Sequence, residues 1–201
     1  MNSPRKKTFY QATRGLHLYL GLFISPFLLL YAISTLFLNH SVRPSPADSQ
    51  PQKVSLQLAE GIEPKALVSS VLEQLELSGE VSGGRAIRNN RTTLRVVRPG
   101  SIKIINVDIG AQEATVVERS TGLLGAINFL HFNPGLHRQP NWIITKFWGW
   151  IADATVYLTL FLTVSGIYLW ALMKAERKAG LIALGTGLLT FVGLLALFFI
   201  N

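Results

Sequence analysis

Hydrophobic residues in this chain gather into three long blocks, separated by one stretch of mixed character. Leu16–Leu38 carries one histidine and no formal charge, Phe147–Met173 carries one charge (Asp153), and Leu181–Ile200 carries none. About 20 residues of helix cross the hydrocarbon core of a bilayer, so each block is long enough to span it. The pattern predicts transmembrane helices over 14–40, 142–173 and 181–200. The first block follows Arg5, Lys6 and Lys7, as a secretory signal would. Its apolar run is longer than the roughly 7–15 residues of a cleavable signal, and Leu36-Phe37-Leu38-Asn39-His40 offers no small-residue cleavage site. An uncleaved anchor is therefore expected.

Between the first two blocks the periodicity changes. Residues 41–52 are rich in proline and serine without an apolar period and read as a linker. From Lys53 to Leu58, apolar and polar residues alternate, as in a half-buried strand. Glu63-Pro64 opens a helix with proline where a missing N–H costs nothing, and Leu67, Val68, Val71, Leu72 and Leu75 form its apolar face. Gly79–Gly84 reads as a break. Three strands are expected after it, over Ala86–Val97, Ser101–Ile109 and Glu113–Arg119. Their turns are Arg98-Pro99-Gly100 and Gly110-Ala111-Gln112. Ile104-Ile105 breaks the alternation, which implies a bulge or burial on both faces. The stretch 53–121 is thus a small α+β domain, one helix on an antiparallel sheet, inserted between helices 1 and 2. A domain of that size is marginal alone and is expected to lean on the membrane or on a partner.

Residues 122–141 read as an interfacial helix and loop. Trp142, Trp148 and Trp150 cluster where the second span begins, the mark of a membrane–water boundary. Stripes of small residues predict close helix packing: Gly21, Ser25, Ala32, Thr35 and Asn39 on the first span, and Ala183, Gly187 and Gly193 on the third. Thr155, Thr159, Thr163 and Gly166 on the second read as packing against the first, or alternatively as a polar conduit. Pro26 is a candidate kink.

Charge adds orientation. Residues 1–15 and 174–180 are the basic short flanks that the positive-inside rule weighs. They place the N-terminus (1–13) and the 174–180 turn in the cytoplasm, with residues 40–141 and the C-terminus outside it. The formal net charge of +8 therefore speaks of lipid and topology, and no nucleic-acid partner is expected. Arg85, Arg88, Arg91, Arg95, Arg98 and Lys103 read as a solvated face, or as one turned to anionic lipid or an anionic chelate. The chain has no cysteine, which excludes disulfides, thiolate catalysis, iron–sulfur ligation and covalent haem attachment. No phosphate-binding glycine loop, catalytic carboxylate pair, serine triad or HExxH motif is present.

Four short motifs agree in order and spacing: Arg14-Gly15-Leu16-His17-Leu18-Tyr19-Leu20-Gly21, then Leu130-His131, then Trp148-Gly149-Trp150-Ile151-Ala152-Asp153, then Ser165-Gly166-Ile167-Tyr168-Leu169-Trp170. Together with the helix-and-sheet insert they resemble the PepSY-associated transmembrane family, in its short three-span branch. The resemblance implies a bacterial inner-membrane protein with a periplasmic PepSY-like domain. Some members of that family are reductases of ferric siderophores that carry haem b between helices. Others accompany iron uptake, and the PepSY module elsewhere inhibits or binds ligands.

Haem b takes one or two imidazoles as axial ligands. The candidates are His17, His40, His131 and His137. His17 and His40 stand at opposite ends of one helix, roughly 35 Å apart at 1.5 Å per residue. A bis-histidine site would therefore combine His40 with His131 or His137, and His17 would need a partner from elsewhere, such as a second subunit. The same three outer histidines are a weaker candidate for a tri-histidine metal site. Asp153 is the anomaly, because a carboxylate in a span is costly and usually partnered. It either orients a ligating histidine or pairs with Lys146 or caps a helix end. The histidines have a structural reading too, as side chains bonded to carbonyls or lying among head groups.

Two functions follow as expectations. One is a haem-bearing electron-transfer or ferric-siderophore reductase component linked to iron uptake. The other is a non-enzymatic, membrane-anchored PepSY module that binds or regulates a membrane or periplasmic protein, or another copy of itself.

Overall fold

The computed structural model describes residues 4–42, 45–59, 61–84, 86–132 and 140–200. The chain runs α1 (Pro4–Asn39), β1 (Ala47–Asp48), β2 (Gln52–Ser55), α2 (Pro64–Gln74), β3 (Glu80–Gly83), β4 (Arg91–Arg98), β5 (Ser101–Asp108), β6 (Glu113–Ser120), α3 (Gly122–Phe132), α4 (Ile143–Leu172), a single 3₁₀ turn (Lys174–Glu176) and α5 (Arg177–Ile200). Among the described residues three helices are long and apolar enough to cross a membrane: Lys7–Asn39, Ile143–Leu172 and Lys174–Phe199. The protein is a membrane protein with a small antiparallel sheet domain. It forms two compact units, Met1–Ser25 with Val156–Asn201, and Pro26–Thr155.

In the unit Pro26–Thr155 the sheet is antiparallel throughout, in the order β1-β6-β5-β4-β3, with β2 also paired to β6. β1 and β2 together make one interrupted edge strand. The stretch expected to be linker thus contributes Ala47–Asp48 to the sheet, held by a two-pronged contact of Arg119 with Asp48 at 2.7 and 2.8 Å. Alternation along β4 sends Thr92, Leu94 and Val96 to one face, where they meet Ile105, Val107, Ala114, Leu56 and Leu58. α2 closes that face with Leu67 and Val71, both fully buried, flanked by Val68, Leu72 and Leu75. This is the helical face the periodicity predicts. Burial of such aliphatic side chains contributes about 1.5–3 kcal/mol each.

Two local expectations need correction, and a third is decided between its alternatives. The strand expected over Ala86–Val97 begins only at Arg91, because Asn89 and Asn90 both take positive φ (50° and 59°) and turn the chain tightly between Arg88 and Arg91. Asparagine tolerates that region better than most residues. The glycine-rich break hides strand β3, which pairs with β4 from Glu80↔Val97 to Gly83↔Leu94. Of the two readings of Ile104-Ile105, cover on both faces holds and the bulge does not form, since the register of β5 is continuous on both sides. Ile105 points to the α2 core, while Ile104 is half-buried on the opposite face. At one end of that opposite face lies α3, where Phe129 is buried and a hollow is lined by Val97, Ile102, Asn128 and Phe132.

On α1 the buried and half-buried positions include Thr13, His17, Leu20, Ile24, Phe27, Tyr31, Ser34 and Leu38, which alternate steps of four and three. That seam has the period of a left-handed helix pairing. Most of the small-residue stripe expected to pack lies elsewhere: Gly21 is half-buried, but Ser25, Ala32, Thr35 and Asn39 are exposed. Ser25 has a local task, since Pro26 cannot donate to the carbonyl four residues back. The Ser25 hydroxyl donates to that Leu22 carbonyl at 2.9 Å, and α1 continues through the proline.

In the unit Met1–Ser25 with Val156–Asn201, Gly21 faces Leu162 and Phe9 meets Tyr168 edge-on at 5.7 Å. The turn into α5 is closed by Trp170 Nε1 donating to Glu176 O and Arg177 Nε donating to Ala171 O. The packing expected of Ala183, Gly187 and Gly193 is not seen among the described residues. None of α5's apolar window is buried, and nothing lies within 4 Å of a Cβ built on Gly187 or Gly193.

Arg119 holds the Asp48 carboxyl below the usual carboxylate range. The ionised form is thus favoured in the folded state, so its contribution is present above the ordinary carboxylate pKa of about 3.9 and lost as pH falls through the lowered folded value. Hydrogen exchange should show protection at Ser49, whose N–H donates to Glu118 O, falling on acidification while β2 stays paired. Equal loss along β1 and β2 would contradict this.

Candidate functional site

The candidate residues lie where α1, α3 and α4 present polar atoms within apolar surroundings. α3 ends with His131, and its ring reaches Ser34 on α1, with His131 Nδ1 2.7 Å from Ser34 Oγ. Ser34 is fully buried, and its hydroxyl donates to Tyr31 O at 2.8 Å. A hydroxyl has one proton. With that proton on the carbonyl, the hydrogen between the two side chains belongs to Nδ1, and Nε2 carries the lone pair. This tautomer follows from the hydrogen-bond network. Tyr31 and Phe132 stand edge-on to the imidazole, with ring centroids at 5.7 and 5.2 Å.

Trp148 completes the cluster from α4. Its indole N–H donates to Leu130 O at 2.9 Å, one of the carbonyls left open at the C-terminus of α3. Its ring lies 6.4 Å from both Tyr31 and Phe27. The expected boundary tryptophan therefore also caps a helix. Asp153 is half-buried beside buried Ala152. The pairing with Lys146 is not formed among the described residues, where the ion pairs are Lys53–Glu113, Arg91–Asp108, Lys103–Glu118 and Arg119–Asp48, all on the sheet.

His40 is exposed at the end of α1, its N–H donating to Leu36 O at 3.0 Å. His137 lies outside the described residues. His17 finds its partner in its own chain: Nδ1 is 2.8 Å from Ser165 Oγ, whose hydroxyl donates to Leu162 O at 3.2 Å. Gly166 makes room, since a Cβ there would stand 3.3 Å from His17 Cε1. Each of the two units thus contains the same device, a histidine bonded to a span serine that is itself bonded three residues back. Among the described residues no three His, Cys, Asp or Glu side chains converge as a metal ion would need.

The threonine stripe of α4 also turns inward on its own helix: Thr155 Oγ1 donates to Ile151 O and Thr163 Oγ1 to Thr159 O. Such bonds satisfy hydroxyls in lipid without requiring a conduit.

A second polar junction, which the sequence did not announce, joins the sheet to the start of α4. Glu80 on β3 accepts the backbone N–H groups of Asn141 and Trp142 at 3.0 and 3.1 Å. These are N–H groups at a helix start that the helix cannot serve, and its positive end favours a carboxylate there. The Asn141 amide bonds Val81 twice, accepting from its N–H at 3.0 Å and donating to its carbonyl at 2.8 Å. Arg98 bonds the Ser78 carbonyl and hydroxyl, and its guanidinium lies 5.8 Å from the Trp142 ring centroid, a cation–π distance. The only sequence signal for this clasp was the Asn141-Trp142 pair ahead of the span.

Replacing Ser34 by alanine should leave His131 Nδ1 without its partner and cost about 0.5–2 kcal/mol, the range of hydrogen bonds between membrane helices. Unfolding in mixed micelles would measure it. A loss no larger than that of exposed Ala32→Ser would refute the assignment.

No curated protein and no solved structure matches the chain. The PepSY_TM-like family does, over residues 11–201, which takes in all three spans, the sheet domain and both histidine–serine pairs. The chain belongs to the PepSY_TM-like family.

Proposed function

We propose that this protein is a non-enzymatic module of the bacterial inner membrane, which holds its PepSY-like domain against the bilayer for a membrane or periplasmic partner. The N-terminus and the 174–180 turn are cytoplasmic, and residues 40–141 and the C-terminus are periplasmic. The clasp of Glu80, Asn141 and Trp142 carries this reading: it fixes the sheet to the first turn of a span, as an anchored binding domain requires. The histidines agree, because His131 and His17 each spend Nδ1 on joining helices.

A haem b electron-transfer component, such as a ferric-siderophore reductase linked to iron uptake, is the second reading. One observation favours it: the hydrogen bond to Ser34 uses His131 Nδ1 and not Nε2. The fit to haem is incomplete among the described residues, since Tyr31 and Phe132 flank that ring and His40 is exposed. The detergent-solubilised protein is therefore expected to be colourless and well folded. A Soret band that disappears in His131→Ala would reverse the order of the two readings.

Because the chain has no cysteine, single introduced thiols report topology without background. Ser49→Cys should react with a membrane-impermeant maleimide in intact spheroplasts, and Ala175→Cys only after lysis. The opposite pattern would invert the proposed orientation.

A further inference from the structure

Among the described residues β3 is an edge strand, and its outer side faces a groove beside α2. Gly84 N donates to Thr93 O at 3.0 Å. In an antiparallel ladder the inward bonds fall on alternate residues. With Gly84 facing β4, the N–H and carbonyl groups of Gly79, Val81 and Gly83 face outward. These three residues line a groove of about 750 Å³ whose opposite wall is Val68, Ser69 and Leu72 of α2, a size typical of ligand sites. Gly83 is exposed and Val81 half-buried, so little side chain shields the backbone at those two positions, while Gly79 at the end of the groove is buried. Protected edges instead carry lysine, proline or a bulge.

At the middle position the edge is already paired. The Asn141 carboxamide accepts from Val81 N and donates to Val81 O, the same two bonds that a peptide unit of an added strand would make. Asn141 and Trp142 also line the groove, so the groove continues directly from this pairing. What meets the edge now is chemically a fragment of polypeptide.

We propose that the groove receives an extended segment of a partner polypeptide, which adds as a strand to the outer edge of β3 and displaces Asn141 from Val81. Backbone pairing along Gly79–Gly83 supplies attraction, and Val68 and Leu72 take alternate apolar side chains of the incoming strand. Displacement frees the Asn141 side chain, one residue before Trp142 and α4. Binding therefore loosens one of the two hydrogen-bonded links between sheet and span and leaves the Glu80 link in place. This deepens the anchored-module reading and rests on it.

The test uses the full chain in nanodiscs and a fluorescein-labelled hexapeptide of alternating valine and serine, followed by anisotropy. Saturable binding is expected. The same peptide N-methylated at alternate residues should bind at least about tenfold more weakly, because it cannot donate to the edge. Ser69→Trp, which fills the groove from an exposed position of α2, should weaken binding to a similar degree. Asn141→Ala should tighten it several-fold by removing the internal competitor. No saturable binding, equal binding of the N-methylated peptide, or no change in Ser69→Trp with an unaltered far-UV spectrum would each overturn the proposal. A Soret band in the same preparation would instead overturn the anchored-module reading. A colourless protein that fails the titration loses only the groove.

Discussion

Inside a bilayer no water is present to meet an unpaired N–H, carbonyl or hydroxyl, and each one left open costs several kcal/mol. That constraint organises the polar atoms of this molecule. Ser25 serves the carbonyl that Pro26 leaves open, and the indole of Trp148 serves the last turn of α3. Ser34 and Ser165 each give their proton to a carbonyl of their own helix and their oxygen to a histidine. The imidazoles are held because a serine oxygen whose proton is already spent can still accept, and the helices are joined as a result.

The sheet domain meets the complementary problem in water, where a strand edge invites unwanted partners. One edge is split into β1 and β2, with an Arg119–Asp48 pair on the shorter piece. The other, β3, is only Glu80–Gly83 and is joined to the start of α4. The domain is thereby tied to the membrane through the same edge that would otherwise be sticky. The chain enters α4 with the N–H groups of Asn141 and Trp142, just ahead of its first turn, bonded to Glu80. Folding of the sheet and orientation of the span thus share one set of bonds.

Much of this was visible in the residue pattern. The three apolar blocks, the face of α2 from Leu67 to Leu75, the Pro99-Gly100 turn and the paired strands β4, β5 and β6 all follow from short-range periodicity and turn chemistry. Errors occurred where a local rule lost to a distant partner. Glycines at 79, 83 and 84 argued against a strand, yet pairing to β4 imposes one on Glu80–Gly83. The small stripe on α1 argued for packing at Ser25, Ala32 and Thr35, yet the buried seam runs through larger residues such as Ile24, Phe27 and Tyr31. Four histidines were identifiable by type alone, but neither serine that holds two of them was singled out for that role.

By itself, then, the order of residues determined what each segment would become: which stretches span, which alternate, and where the chain turns. Those properties depend on neighbours three or four positions away, whose spacing is written directly in the chain. Which atoms meet was decided only in three dimensions. Ser34 and His131 are 97 residues apart and His17 and Ser165 are 148 apart, and Asn141 reaches back across 60 residues to Val81. A hydrogen bond acts over about 3 Å, so no regularity along the chain encodes such a pairing until packing has brought the partners together.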